Sequence, residues 1–247
     1  MLRVALILFV ECTLFIHMSA QNHTRDNGVC GPFSKEELLG QITPSSHSAF
    51  SLVPQKYTSK SGIYLRTEAL QAFKSLHQAA IDEGLEIKIL SATRSFTYQQ
   101  SIWERKWAKP RYMGWDDFDK ALDILTYSSM PGTSRHHWGT DIDLNAFENE
   151  YFESGDGREV YEFLNRCAST FGFQQVYSAK DIPNSPRSGY EEEKWHWSYT
   201  PISIPMLDAY NALISTEDIQ GFQGDSQADS VKIIHDYVNG VRILDLE

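Results

Sequence analysis

Cysteine is scarce in this chain of 247 residues: there are three, Cys12, Cys30 and Cys167. A disulfide-built scaffold is thereby excluded. Basic residues are also in short supply, with 22 Lys and Arg against 33 Asp and Glu and a formal net charge of −11. This argues against a nucleic-acid partner, because phosphate binding needs clustered Lys and Arg. Past the first twenty positions no apolar run approaches the ~20 residues of a membrane span. Internal repeats are absent as well.

What the N-terminus does contain is the order of a secretory signal peptide. A lone Arg3 precedes an apolar run from Val4 to Met18, followed by Ser19 and Ala20. Residues 1–20 are read as a signal peptide and the protein as exported, periplasmic or extracellular; an uncleaved N-terminal anchor is the alternative. Glu11 beside Cys12 is poor context for lipid attachment, and the sequon Asn22-His23-Thr24 is read as accidental. An oxidising compartment would permit a Cys30–Cys167 disulfide. A buried free thiol at Cys167 is the competing expectation, and neither is catalytic.

Residues 21–60 form an N-terminal arm, 61–201 the main domain and 202–247 a helical C-terminal extension. Apolar Ala69, Leu70, Phe73, Leu76 and Ala80 recur with helical period, with Thr67 as N-cap and Gly84 as stop. Leu85, Ile87 and Ile89 alternate with charged residues as a strand leading to Thr93 and Arg94. Two further helices follow, around Tyr98–Trp103 and Phe118–Leu125. Ile142, Leu144 and Ala146 alternate with Asp141, Asp143 and Asn145, a strand with one polar face. Residues 158–172 read as an amphipathic helix closed by Gly172, FQQVY and KWHWSYT as strands, and the tail from Ile202 as helical. The expected fold is α+β: a small antiparallel sheet carrying a metal site, flanked by helices, with a helical C-terminal tail.

The stretch SRHHWGTDIDL, Ser134 to Leu144, has two histidines and two aspartates within eight positions. Catalytic zinc takes three protein ligands at ~2.0–2.2 Å and leaves a position for water. A continuous strand would hold His136 and Asp143 ~23 Å apart and a helix ~10 Å, so the chain must double back, and Gly139 is the permissive point. His137 points away from its neighbour in extended backbone; Asp141 and Asp143 share a face, so geometry does not choose between them. For a third ligand, His77 and His235 read as ordinary residues, and His47 has nothing to mark it. His196 stands out in an aromatic strand with Glu193 just upstream. A satisfied core histidine behind a solvated acidic run is the alternative.

Taken together, SATRS (91–95), SRHHWGTDID (134–143) and EKWH (193–196) resemble the VanY-type D-alanyl-D-alanine carboxypeptidases, of the wider zinc peptidase group with lysostaphin-like and hedgehog-like folds. The pattern SxxRS with a following glutamine, SxHxxGxxxD and ExWH is met in order across about Leu65 to Tyr199. The resemblance implies His136, Asp143 and His196 as Zn2+ ligands, Glu193 as general base, and Arg94 as the cation that stabilises the oxyanion. Ser134 and Gln99 match positions near the substrate. It departs from the pattern at Asp141, commonly small or apolar, and at His137 and Trp138, usually polar.

The implied activity is removal of the terminal D-alanine from a peptidoglycan stem peptide ending in D-Ala-D-Ala, by attack of a zinc-bound water. A D,D-dipeptidase or peptidoglycan endopeptidase would use the same site. A zinc-stabilised, non-hydrolytic binding module is the reading from another class. It would have no need of Glu193 and Arg94 together.

Overall fold

The structure is a computed structural model that describes residues 29–30, 32–183 and 186–243. The leader of residues 1–20, the sequon and His23 lie outside the described residues, as does the side chain of Cys30. Cys167 is a free, half-buried thiol. The disulfide expected between the two is therefore not described.

Strands β1 (Val29–Cys30) and β2 (Phe33–Ser34) form a hairpin that leads into α1 (Lys35–Leu38). The helix is short, but Ser34 Oγ accepts from the Glu37 amide and the Glu37 carboxylate from the Ser34 amide, a capping box that satisfies both donors. Strands β3 (Phe50–Leu52) and β4 (Tyr64–Arg66) pair antiparallel and run directly into α2 (Thr67–Asp82). Then come β5 (Ile89–Ser91), α3 (Phe96–Trp107), α4 (Asp117–Ile124), β6 (Asp141–Leu144), α5 (Gly155–Cys167), β7 (Phe173–Gln174), β8 (His196–Tyr199) and α6 (Thr200–Leu213).

The central sheet has the order β5-β6-β8-β7, antiparallel throughout. Its strands alternate as their sequences require. Ile142, Leu144 and Trp197 pack with Phe73 and Leu76 of α2 and Phe163 of α5. The opposite face carries Asp141, Asp143, His196 and Ser198, all at most 2% exposed. A polar face on β6 is expected; here it is buried, because Arg135 of the 134–138 segment, Tyr177 and Ser203 lie against it.

Two local expectations are corrected. The strand before Arg94 starts only at Ile89: the Lys88 amide donates to the Asn145 side chain at 2.7 Å instead of joining a ladder. Thr67 is the first residue of α2, and Arg66 occupies the cap position; the Thr67 hydroxyl meets Ser51 Oγ at 2.9 Å. The tail is helical as expected, but in pieces: after α6 come 3-10 turns at Thr216–Asp218 and Asp225–Gln227 and a π-helical segment at Ile233–Val238. Lys232, in a left-handed conformation with φ +52°, is the cap residue at which the last of these begins.

That tail is part of the core. Ile214, Phe222, Val231, Ile233 and Val238 pack into a second apolar cluster with Leu38, Trp103 and Trp138. The Trp103 indole donates to the Gln223 carbonyl at 2.8 Å. Ile233 is completely buried. Ile233→Ala is expected to cost about 2–5 kcal/mol in urea denaturation, an effect a loosely attached tail would not produce.

Candidate metal centre and active-site cavity

Ser134 opens a single 3-10 turn, Arg135–Trp138, and the chain reverses at Gly139 with φ +71° before entering β6. A Cβ on Gly139 would lie 2.2 Å from Phe50 Cε1, so the bend needs glycine for both dihedral and space. The β6–β8 register sets Asp143 directly opposite His196. With the turn folded back, His136, Asp143 and His196 offer ligand atoms that all lie within 4.8 Å of one another.

Asp143 stands between the two imidazoles. Its Oδ2 is 3.3 Å from His136 Nε2, and its Oδ1 is 3.1 Å from His196 Nδ1. The outer nitrogens are held elsewhere: His136 Nδ1 meets the Ala92 carbonyl at 2.8 Å, and His196 Nε2 meets Asp141 Oδ2 at 2.8 Å. Those outer partners are acceptors, so they place the ring protons away from the cluster and leave His136 Nε2 and His196 Nδ1 facing inward. Two imidazole nitrogens and one carboxylate oxygen form a donor set that fits zinc.

Asp141 completes the support. It accepts from Arg135 Nε at 3.0 Å, from Ser198 Oγ at 2.7 Å and from Thr140 Oγ1 at 2.7 Å, besides meeting His196. Burial alone would raise its carboxyl, but Arg135 and His196 outweigh it and hold it well below the usual range. Burial likewise pulls the His196 imidazole down, and hydrogen bonds to Asp141 and Asp143 overcome this and raise it to about 9. His137 takes no part in the cluster. Its ring bridges the Arg94 carbonyl at 2.7 Å and the Gly132 amide at 3.0 Å, and burial lowers it to about 4.

Glu193 is 7% exposed and its Oε2 lies 3.7 Å from His196 Nδ1. Burial pushes its carboxyl up to about 7. Arg94 follows β5 and donates from Nη2 to Asp143 Oδ2 at 2.6 Å and from Nε to Ser91 Oγ at 3.0 Å. A cavity of about 540 Å³ opens onto these groups, and Arg94, Ser134, His136, Asp143, Glu193 and His196 are among its lining. The Ser134 hydroxyl is buried and has no hydrogen-bond partner among the described residues.

Gln99 is a correction. It is fully buried and is not among the residues that line the cavity. The helical phase of α3 turns it inward, where its Nε2 donates to the Ser129 carbonyl at 2.8 Å. Ser129 does line the cavity, so Gln99 shapes the wall from behind.

Residues 62–202 match the VanY family, described as D-alanyl-D-alanine carboxypeptidase. The chain belongs to the VanY family. It is 30% identical over 129 residues to a D-alanyl-D-alanine carboxypeptidase of Enterococcus faecalis, covering 52% of this chain and 46% of that protein. It is 33% identical over 144 residues to the protein YodJ of Bacillus subtilis, covering 55% and 46%. The alignments thus span about half the length of these relatives. A solved structure of the LdcB LD-carboxypeptidase shares the fold, with TM-score 0.50, 20% identity and coverage of 83% of this chain and 82% of that one.

Two features of this VanY-family site were not legible in its motifs. Asp141 departs from the family pattern, and its role as the acceptor for His196 Nε2 comes from the register of β6 against β8 and not from a motif. Lys106 lines the cavity but belongs to none of the motifs; its spacing of four from Ile102 on a helix is the available signal.

Two outcomes follow from this geometry. Gly139→Ala should destabilise the protein by more than about 1 kcal/mol in urea titration, since alanine pays for the left-handed conformation and meets Phe50. The second concerns Glu193 after removal of metal by chelation. Its carboxyl is raised from 4.5 to about 7 on folding, so its contribution to stability is full below pH 4.5 and lost as pH rises through 7. Chelated Glu193→Gln should therefore gain on the order of 1–3 kcal/mol over chelated wild type at pH 8 and nothing at pH 4. Denaturation at the two pH values measures it.

Proposed function

We propose that this chain is an exported zinc D,D-carboxypeptidase that removes the terminal D-alanine from peptidoglycan stem peptides. The observation that carries the proposal is the buried His136–Asp143–His196 cluster with Glu193 beside it at the end of one cavity. The family match supports the substrate class, and the leader-like residues 1–20 support export, since peptidoglycan lies outside the cytoplasmic membrane.

In this reading His136 Nε2, His196 Nδ1 and an Asp143 oxygen hold the zinc. Zinc bound there supplies Lewis-acid polarisation of a carbonyl and acidifies water. Glu193 takes the proton from the attacking water and returns it to the leaving amine. A carboxyl raised to about 7 is suited to both transfers near neutral pH. Arg94 places its guanidinium at the cavity wall, where it stabilises the oxyanion that develops on the scissile carbonyl. Asp141 keeps His196 oriented, and Ser134 contributes a hydroxyl to substrate binding.

Incubating the zinc-loaded protein with UDP-MurNAc-pentapeptide and weighing the products tests this. Loss of one alanine is expected; release of the intact D-Ala-D-Ala dipeptide would indicate a dipeptidase, and no reaction would sink the proposal. Glu193→Ala should retain zinc while losing roughly 10²–10⁴-fold in rate, whereas His196→Ala should lose zinc as well. Unchanged turnover in Glu193→Ala would remove the general base from the mechanism.

A further inference from the structure

A carboxypeptidase must recognise a free carboxylate, and the cations around the cavity are not equivalent. Arg94 is tied to Asp143 and Ser91. Arg135 donates to Asp141 and Ser198 and lies 4.6 Å from the Trp138 ring centroid, completely buried. Lys60 is exposed and lies over the Phe147 ring, 5.8 Å from its centroid. Lys106 differs from the two arginines in that its ammonium has no hydrogen bond or ion pair among the described residues, and from exposed Lys60 in being half-buried.

Its position follows from the helix. Tyr98, Ile102 and Lys106 recur every four residues along α3, and all three line the cavity. Gln99 and Trp103, one position further round, are buried behind them. Lys106 is half-buried and feels Glu193 and Arg94 across the cavity, and Lys109 and Arg111 from its own side. Burial, followed by the charge of Lys109, disfavours its ammonium. An anion drawn to this wall would relieve that cost. The same cavity holds the buried, unpartnered Ser134 hydroxyl on the loop that delivers His136.

We propose that Lys106 reads the free terminal carboxylate of the substrate, with the Ser134 hydroxyl as a second donor, and so restricts cleavage to the last peptide bond. The inference rests on the peptidase reading for the identity of its ligand. Nothing in it alters the chemistry at the metal: Lys106 is a specificity residue for the end group of the substrate and not for the scissile bond, and its contribution belongs in KM more than in kcat. An amide in place of the carboxylate keeps one acceptor oxygen but loses the charge, so the ammonium should separate the two strongly.

The test compares Nα,Nε-diacetyl-L-Lys-D-Ala-D-Ala with its C-terminal amide on the zinc-loaded chain. With Lys106 present, the acid should show a KM 10–100-fold below that of the amide. Lys106→Met should raise KM for the acid 10–100-fold with a smaller fall in kcat and erase the preference over the amide; Lys106→Arg should keep part of it. Thermal denaturation and zinc content of each variant control for folding. Calorimetry in a Glu193→Ala background reads binding without turnover, with at least tenfold tighter binding of the acid expected, lost on adding Lys106→Met. Equal binding of acid and amide, binding of neither, or a preference that survives Lys106→Met overturns the proposal. Alanine release without a Lys106-dependent preference would remove the carboxylate site and leave the peptidase reading standing. A Lys106-dependent preference without alanine release would do the reverse.

Discussion

The buried Asp141 carboxylate is the constraint on which the rest of the site depends. It meets four partners, Arg135, Thr140, His196 and Ser198, with no exposure to solvent. A buried charge is costly unless paired and fully hydrogen-bonded, so these groups have one arrangement available to them. That arrangement orients His196 from β8 and fixes the turn that presents His136. Arg135 lies over Trp138, whose indole donates to the Leu38 carbonyl. Arg66 reaches the same corner, donating to the Trp138 carbonyl and pairing with Glu37. Helix α1, strand β4, the turn and β8 therefore converge on one ionic knot.

Around that knot the protein gives two nearby carboxyls opposite characters. Burial would raise both Asp143 and Glu193. For Asp143 the neighbouring His136, His196 and Arg94 prevail and hold it well below its usual range. For Glu193 burial prevails, because its charged neighbours give less than the loss of water takes away. The difference lies in distance: Asp143 has hydrogen-bonding partners at 2.6 and 3.1 Å, whereas the Glu193 carboxylate has, among the described residues, only the His196 ring at 3.7 Å, beyond hydrogen-bond range. Separating two carboxyls in this way is how one site comes to hold a permanent anion next to a group that exchanges protons near neutrality.

The three motifs made His136, Asp143, His196, Glu193 and Arg94 legible, and Gly139 was identifiable as the bend because no regular element could bring His136 and Asp143 together. Ser134 also faces the cavity. Gln99 fell outside this reach because a motif records which residue is present and not which side of α3 it faces. The tail is helical where its apolar spacing indicates, at Ile233–Val238, but the left-handed Lys232 that starts this segment and the π geometry cannot be seen in periodicity. Alternation along β6 correctly marked a polar face, yet burial of that face depends on segments far away in sequence. Local pattern carries phase, while what covers a face is a property of the whole chain.

The pairing of Asp143 with His196 on one rung of the β6–β8 ladder has a further consequence for variation. The two residues are 53 positions apart, but their separation in space is fixed by sheet register alone. The intervening segment holds α5 and β7 and also supplies Phe147, Glu148, Glu150, Tyr177, Tyr190 and Glu193 to the cavity wall. Its length and composition can change without altering the distance between the two ligands, provided the strands stay in register. The shape of this part of the cavity and the spacing of Asp143 and His196 are thus mechanically decoupled, so that loops remodelled by insertion or exchange, with Glu193 kept, would inherit the same pair of ligand positions.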